Sequence, residues 1–113
     1  MRTIIAGSRA GVGIGDVEAA IQTCPFLITT VLCGMARGAD MCGLLVAKKR
    51  GWKVEEYPAN WDKYGVKAGH IRNNVMAERA EALIAVWDGA SKGTAHMIAA
   101  AEKAGLIVHI HKV

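Results

Sequence analysis

The stretch AVWDGASKGTAHMI, residues 85–98, predicts the junction of a strand, a loop and a helix. An apolar run ends at Trp87, a loop rich in glycine and hydroxyl side chains follows, and apolar residues at helical spacing come next. The loop has the residue types of a phosphate-binding loop. Its order is Lys92-Gly93-Thr94, however, whereas a Walker A loop requires Gly-Lys-Thr. Whether it binds phosphate therefore depends on what the rest of the chain places beside it.

The same unit recurs along the chain and decides the fold class. The predicted strands cover residues 2–6, 26–33, 53–57, 83–87 and 106–111, and the predicted helices cover residues 16–23, 38–50, 71–80 and 93–104. Between the third strand and the third helix, we predict a loop with Trp61 and Tyr64 over residues 60–69. Such alternation of strands and helices predicts a Rossmann-like, three-layer, doubly wound α/β fold with a five-stranded, mainly parallel sheet, in a single domain of residues 1–113.

Composition limits the partners of this domain. The 113 residues are 52% hydrophobic and 21% charged, which excludes a disordered chain. A net charge of +4 with scattered basic residues is compatible with a small anionic ligand and favours nucleic acid only weakly. The cluster Lys48-Lys49-Arg50 is typical of the last turn of a helix.

Three cysteines without a CxxC pair indicate reduced thiols in a cytoplasmic protein. We find no signal peptide and no apolar run of membrane-spanning length, and we expect no cofactor and no metal ion. His109 and His111 share a face of the last strand, where a surface role is favoured over a metal site because no third ligand is near in sequence. His96 is predicted to lie on the last helix and to point away from the preceding loop.

In parallel sheets of this kind, ligands bind beyond the carboxyl ends of the strands. The first such loop is Gly7-Ser8-Arg9, in which a hydroxyl and a guanidinium suit a phosphate, although a solvated turn is the alternative. The glycines of residues 11–15 lack the spacing of a dinucleotide fingerprint. In the second loop, Gly34, Arg37 and Gly38 precede Asp40, which is either a helix-capping residue or an acceptor for a ribose hydroxyl.

The third region combines aromatic and basic side chains. Trp61 and Tyr64 either stack on a base or pack over the end of the sheet, and Arg72 and Asn73 follow on a helix. In the fourth loop, the close approach allowed by glycine combines with hydroxyls at a helix N-terminus, where an anion is favoured. The residues concerned are Gly89, Ser91, Gly93 and Thr94.

These loops also carry a family resemblance. The segments IIAGSR (4–9), CGMARGAD (33–40), YPANWDKYGVKAGHIRNNVMAERAEALIAVWDGASKGT (57–94) and AAAEKAGLIVHIHKV (99–113) resemble the SLOG superfamily, which includes the DprA/Smf proteins and the LOG phosphoribohydrolases. They look most similar to its YspA or cpYpsA-related branch. The resemblance implies a Rossmann-like fold and a pocket for a nucleotide or nucleotide-derived ligand. It implies pocket residues Gly7, Ser8, Arg9, Gly34, Arg37, Gly38, Asp40, Arg72, Asn73, Gly89, Ser91, Gly93 and Thr94.

The chain departs from the LOG enzymes at one position. Their PGGxGTxxE motif ends in a glutamate that assists glycosidic cleavage, and alignment on Gly93-Thr94 places Met97 there. A thioether does not ionise, so another carboxylate, Asp40 or Asp88, would have to take that role. We therefore predict binding, for sensing or sequestration, with a LOG-type hydrolase and a DprA-like single-stranded DNA binder as alternatives. Residues 97–101 could also pack on a second copy of the chain as a homo-oligomer.

Overall fold

The computed structural model describes residues 1–113 and has a five-stranded sheet in which all strands are parallel. This confirms the predicted fold class. The strands are β1 (Arg2–Gly7), β2 (Thr30–Cys33), β3 (Lys53–Glu56), β4 (Ala82–Trp87) and β5 (Ile107–Lys112), and the helices are α1 (Ile14–Thr23), α2 (Ala39–Arg50), α3 (Trp61–Tyr64), α4 (Ala68–Arg79) and α5 (Lys92–Lys103). The strand order in the sheet is β3-β2-β1-β4-β5, and a 3-10 turn, Gly65–Lys67, joins α3 to α4.

Helices cover both faces of the sheet. Ile5 and Ile84 face the layer of α1 and α2, and the neighbouring Ile4 and Leu83 face the layer of α4 and α5. Successive strand residues point to opposite faces, and both faces are buried here, which is why the central strands read as continuous apolar runs. Of the segment 97–101, which could pack on a second copy, Met97, Ile98 and Ala101 are buried in this core.

Two predicted boundaries were wrong. Residues 26–29 are not a strand, because pairing with β1 begins at Thr30 opposite Arg2, and Leu27 is 85% exposed. The predicted loop over residues 60–69 contains α3 and the start of α4. The Asn60 side chain accepts a hydrogen bond from the Lys63 backbone and caps α3 locally, a signal that was present in the sequence.

The strand order creates a crevice between β1 and β4. The chain proceeds from β1 toward β3 on one side and continues from β4 to β5 on the other, so the connections after β1 and β4 diverge. Ligands in this class of fold bind at such a switch point. No helix of the chain is both long enough and apolar enough to cross a membrane.

Candidate anion-binding cavity at the switch point

A cavity of about 180 Å³ opens at this crevice. Its walls come from the end of β1 and the loop after it, the starts of α2 and α5, and from α3 and α4. Many of the predicted site residues meet there, although they come from four separate loops. They are Gly7, Arg9, Asp40, Trp61, Arg72, Asn73, Ser91, Gly93 and Thr94.

A second hollow adjoins the cavity and shares Arg9, Trp61 and Arg72 with it. The predicted residues Gly34 and Arg37 line this hollow. So does Met35, the only non-glycine residue with a positive φ (63°). Such strained backbone is costly and concentrates at functional sites. The shared walls allow one elongated ligand to occupy both spaces.

Four predicted site residues lie outside both spaces: Ser8, Gly38, Tyr64 and Gly89. The buried Ser8 joins three elements, because its Oγ accepts from the Asp88 backbone at 3.0 Å and its carbonyl accepts from Ala39. Gly38 allows the backbone to pass close to Ser8. Tyr64 lines a separate groove beside α4, and Gly89 lies against Lys112.

The N-terminus of α5 faces the cavity with free backbone donors. The first N–H groups of a helix have no partner within it, and the Ser91 side chain at the N-cap caps none of them. The first turn also has no acidic side chain. Asp88, which would be the nearest candidate, instead accepts from the backbones of Ala90 and Ser91 at 2.8 Å and holds the loop. This terminus therefore retains its positive dipole end for an anion.

Two guanidinium groups complete the electropositive wall. Arg72 donates through Nη1 to the Gly34 carbonyl at 2.5 Å and through Nε to Asn73 Oδ1 at 2.9 Å. Its Nη2 group remains free, and burial lowers the pKa of Arg72. Arg9 is exposed and belongs to neither of the two ion pairs of the chain. Both cations are therefore free to pair with a ligand.

Asp40 is the carboxylate within the cavity and is only 5% exposed. Its Oδ2 accepts a hydrogen bond from the Ala36 backbone at 3.3 Å. Burial raises the pKa of the carboxyl group to about 6, and the nearby Arg72 opposes that rise. The group therefore titrates near neutral pH and acts as a hydrogen-bond acceptor or, in mild acid, as a proton donor.

This pKa predicts how Asp40→Asn changes stability. Between pH 4 and 6 the folded state keeps a proton that the unfolded state loses, so this group lowers the free energy of unfolding as pH rises. The free energy of unfolding of Asp40→Asn, relative to that of the native chain, should therefore rise by roughly 2 kcal/mol from pH 4 to pH 7.5. Urea denaturation of both proteins across that range measures the difference, in which all other titrating groups cancel. A difference independent of pH would show that Asp40 titrates normally.

Sequence reasoning missed several residues that line the cavity. Val66 and His70 are among them. Met97, which the sequence alignment had singled out, also lines the cavity and is only 1% exposed. His96 lies on α5, as predicted, and does not line the cavity. It contacts α4: its ring lies 3.8 Å from that of His70, and its Nδ1 is 3.2 Å from Asn73 Nδ2. His70 and Asn73 are three residues apart on α4, so helical spacing could have placed them on one face.

Outside the cavity, His109 Nε2 lies 3.0 Å from Thr23 Oγ1, which connects β5 to the end of α1. The chain holds no group of three or more His, Cys, Asp or Glu side chains that could bind a metal ion.

Comparisons with protein-family models, curated proteins and solved structures found no match to this chain.

Proposed function

We propose that the protein binds a nucleotide or nucleotide-derived ligand at the carboxyl edge of the sheet, with a phosphate in the switch-point cavity. The observation that carries this proposal is the convergence of Arg9, Arg72 and the N-terminus of α5 on one cavity. Guanidinium groups and helix N-termini both bind phosphate, and here neither has an acidic protein partner in direct contact. The resemblance of the four loops to the SLOG superfamily supports the same assignment.

The other walls suit the remaining parts of a nucleotide. Asp40 offers a carboxylate to ribose hydroxyls at the floor of the cavity. Trp61 is 52% exposed and borders both the cavity and the adjoining hollow, so its ring is free to stack on a base. Arg37 lies in the hollow, where a second phosphate would reach it. The site therefore favours an elongated ligand with an anionic group at one end and a planar group beside it.

Arg9→Ala tests the phosphate contact with the least disturbance, since the side chain is exposed and forms no ion pair. We expect a loss of affinity of about 10- to 100-fold, the effect of removing a charge-assisted hydrogen bond. A thermal-shift screen of nucleotides, cyclic nucleotides, NAD and ADP-ribose derivatives selects the ligand, and calorimetry then gives both affinities. Lys49→Ala, at the far end of α2, is the matched loss of one positive charge.

The outcome that contradicts this proposal is a ligand that binds the native protein and Arg9→Ala equally well. A screen in which no ligand raises the melting temperature would also count against it, because ligand at a hundred times its dissociation constant adds about 2.7 kcal/mol.

A hydrolase of the LOG type is the second candidate, and Asp40 is the observation that favours it. Met97 occupies the position of the family glutamate and lines the cavity, whereas Asp88 is engaged in the loop. Asp40 is the remaining carboxyl group in the cavity, and its pKa of about 6 suits proton transfer near neutral pH. This candidate predicts release of free base from nucleoside monophosphates and its loss in Asp40→Asn. Chromatography of the reaction mixture decides the question.

A further inference from the structure

A chain of hydrogen bonds runs from the cavity into the interface between α4 and α5. Arg72 Nε donates to Asn73 Oδ1 at 2.9 Å, and Asn73 Nδ2 lies 3.2 Å from His96 Nδ1. Asn73 is buried, and the His96 ring is stacked on His70 at 3.8 Å with only 4° between the planes. The residue that faces a ligand is thus connected to a histidine that does not line the cavity.

Donor and acceptor chemistry fixes the direction of every bond in this chain. A guanidinium only donates, so the oxygen of the Asn73 amide must face Arg72 and its NH₂ group must face His96. The NH₂ group donates, so His96 Nδ1 must be an unprotonated acceptor. A neutral imidazole with its proton on Nε2 is the one state of His96 that satisfies all three groups.

We propose that neutral His96 is a positioning residue that holds Arg72 in its anion-binding orientation through Asn73. This inference rests on the proposed function only for its purpose, since the hydrogen-bond chain exists without a ligand. With Nε fixed by Asn73 and Nη1 by the Gly34 carbonyl, the guanidinium cannot rotate, and its free Nη2 keeps one direction. Protonation of His96 Nδ1 breaks its hydrogen bond with Asn73, because the Asn73 NH₂ group and the protonated Nδ1 are then two donors that face each other.

The surroundings of His96 favour the neutral state. Burial and the neighbouring His70 both lower the pKa of His96 below its ordinary value. The charged group connected to His96 is Arg72, which lies beyond Asn73 on α4. No carboxylate lies within ion-pairing distance of His96, so nothing on either helix stabilises an imidazolium.

The decisive experiment is nitrogen NMR of the ligand-free protein at pH 7.5 and during acidification. We expect His96 to carry its proton on Nε2, and we expect the Arg72 Nε–H resonance to shift with the titration of the His96 ring. Asp40 also titrates near Arg72, so the titration is repeated in Asp40→Asn, where the His96-linked shift should persist. A proton on His96 Nδ1 at pH 7.5, or an Arg72 resonance that ignores His96, would overturn the proposal.

Two variants separate positioning from packing. Both variants are made in the Asp40→Asn background, so that Asp40 does not move the Arg72 resonance. His96→Asn places a carbonyl oxygen where Nδ1 lies and does not titrate, so Arg72 Nε–H should keep its neutral-pH shift down to acidic pH. His96→Phe keeps the aromatic stack but offers no acceptor, so the Arg72 resonance should move or broaden at every pH. A purely structural role would leave the resonance the same in both variants.

The functional consequence is measured separately, with AMP as the probe at pH 7.5. We expect His96→Phe to bind AMP about tenfold more weakly than His96→Asn, which corresponds to the loss of one hydrogen bond by a buried amide. Equal affinities would refute the link to binding. If AMP binds neither variant nor the native protein, the proposed function fails for that ligand, while the NMR result still decides the positioning of Arg72.

Discussion

Replacement of Gly93 by Asp should abolish phosphate binding and leave the protein at least as stable as the native chain. Gly93 lies in the first turn of α5 and lines the cavity. A Cβ at this position meets no atom within 4 Å, so the side chain fits without rearrangement. The first turn contains no acidic residue, and a carboxylate there interacts favourably with the helix dipole by about 0.3–1 kcal/mol.

The same carboxylate repels a bound phosphate. Two like charges about 4 Å apart, near a protein surface, oppose each other by roughly 4 kcal/mol. We therefore expect affinity to fall by at least about 100-fold, measured by calorimetry with the ligand from the thermal-shift screen. Gly93→Asn is the matched control, because it fills the same space without charge and should lose only a few fold. Equal losses in both variants would attribute the effect to volume and would contradict an anion at this position.

Replacement of Gly38 by Ala should cause a large loss of stability. Gly38 has φ 76° and ψ −126°, a conformation that residues with a Cβ rarely adopt. A Cβ there would lie 2.3 Å from the Ser8 carbonyl oxygen and 2.6 Å from Arg9 Cα, both of them backbone atoms. Because backbone cannot rotate aside as a side chain can, the loop after β1 must move away from α2. We expect a cost of about 3 kcal/mol or more, from strain and overpacking together.

Gly51→Ala is the control that separates strain from clash. Gly51 also has a positive φ, 73°, but a Cβ there meets nothing within 4 Å. We expect a loss of about 1 kcal/mol, the cost of the left-handed conformation alone. Thermal unfolding measures both variants, and the Gly38 variant should melt more than about 10 °C below the native protein. Similar melting temperatures for the two variants would show that the approach of Ser8 to Gly38 is not tight.

The sequence predicted the fold class because strands and helices repeat at short range. Each apolar run followed by glycine and a helical pattern indicates a local unit, and parallel pairing of such units is nearly forced by their connections. The four loops were placed correctly at one edge for the same reason. The cap of α3 at Asn60 is also a local signal, because Asn60 and Lys63 lie in one turn of the chain.

Tertiary structure alone decided what each loop residue does. Ser8 and Arg9 are neighbours in the sequence, yet Ser8 is buried among backbone partners and Arg9 is exposed at the cavity. The two residues differ because strand β4 and helix α2 approach the chain at Ser8, and neither lies near it in sequence. The pKa of Asp40 depends in the same way on burial and on Arg72, 32 positions away in the sequence. Periodicity and turn chemistry report local backbone preference, whereas burial and charge pairing arise only when distant segments meet.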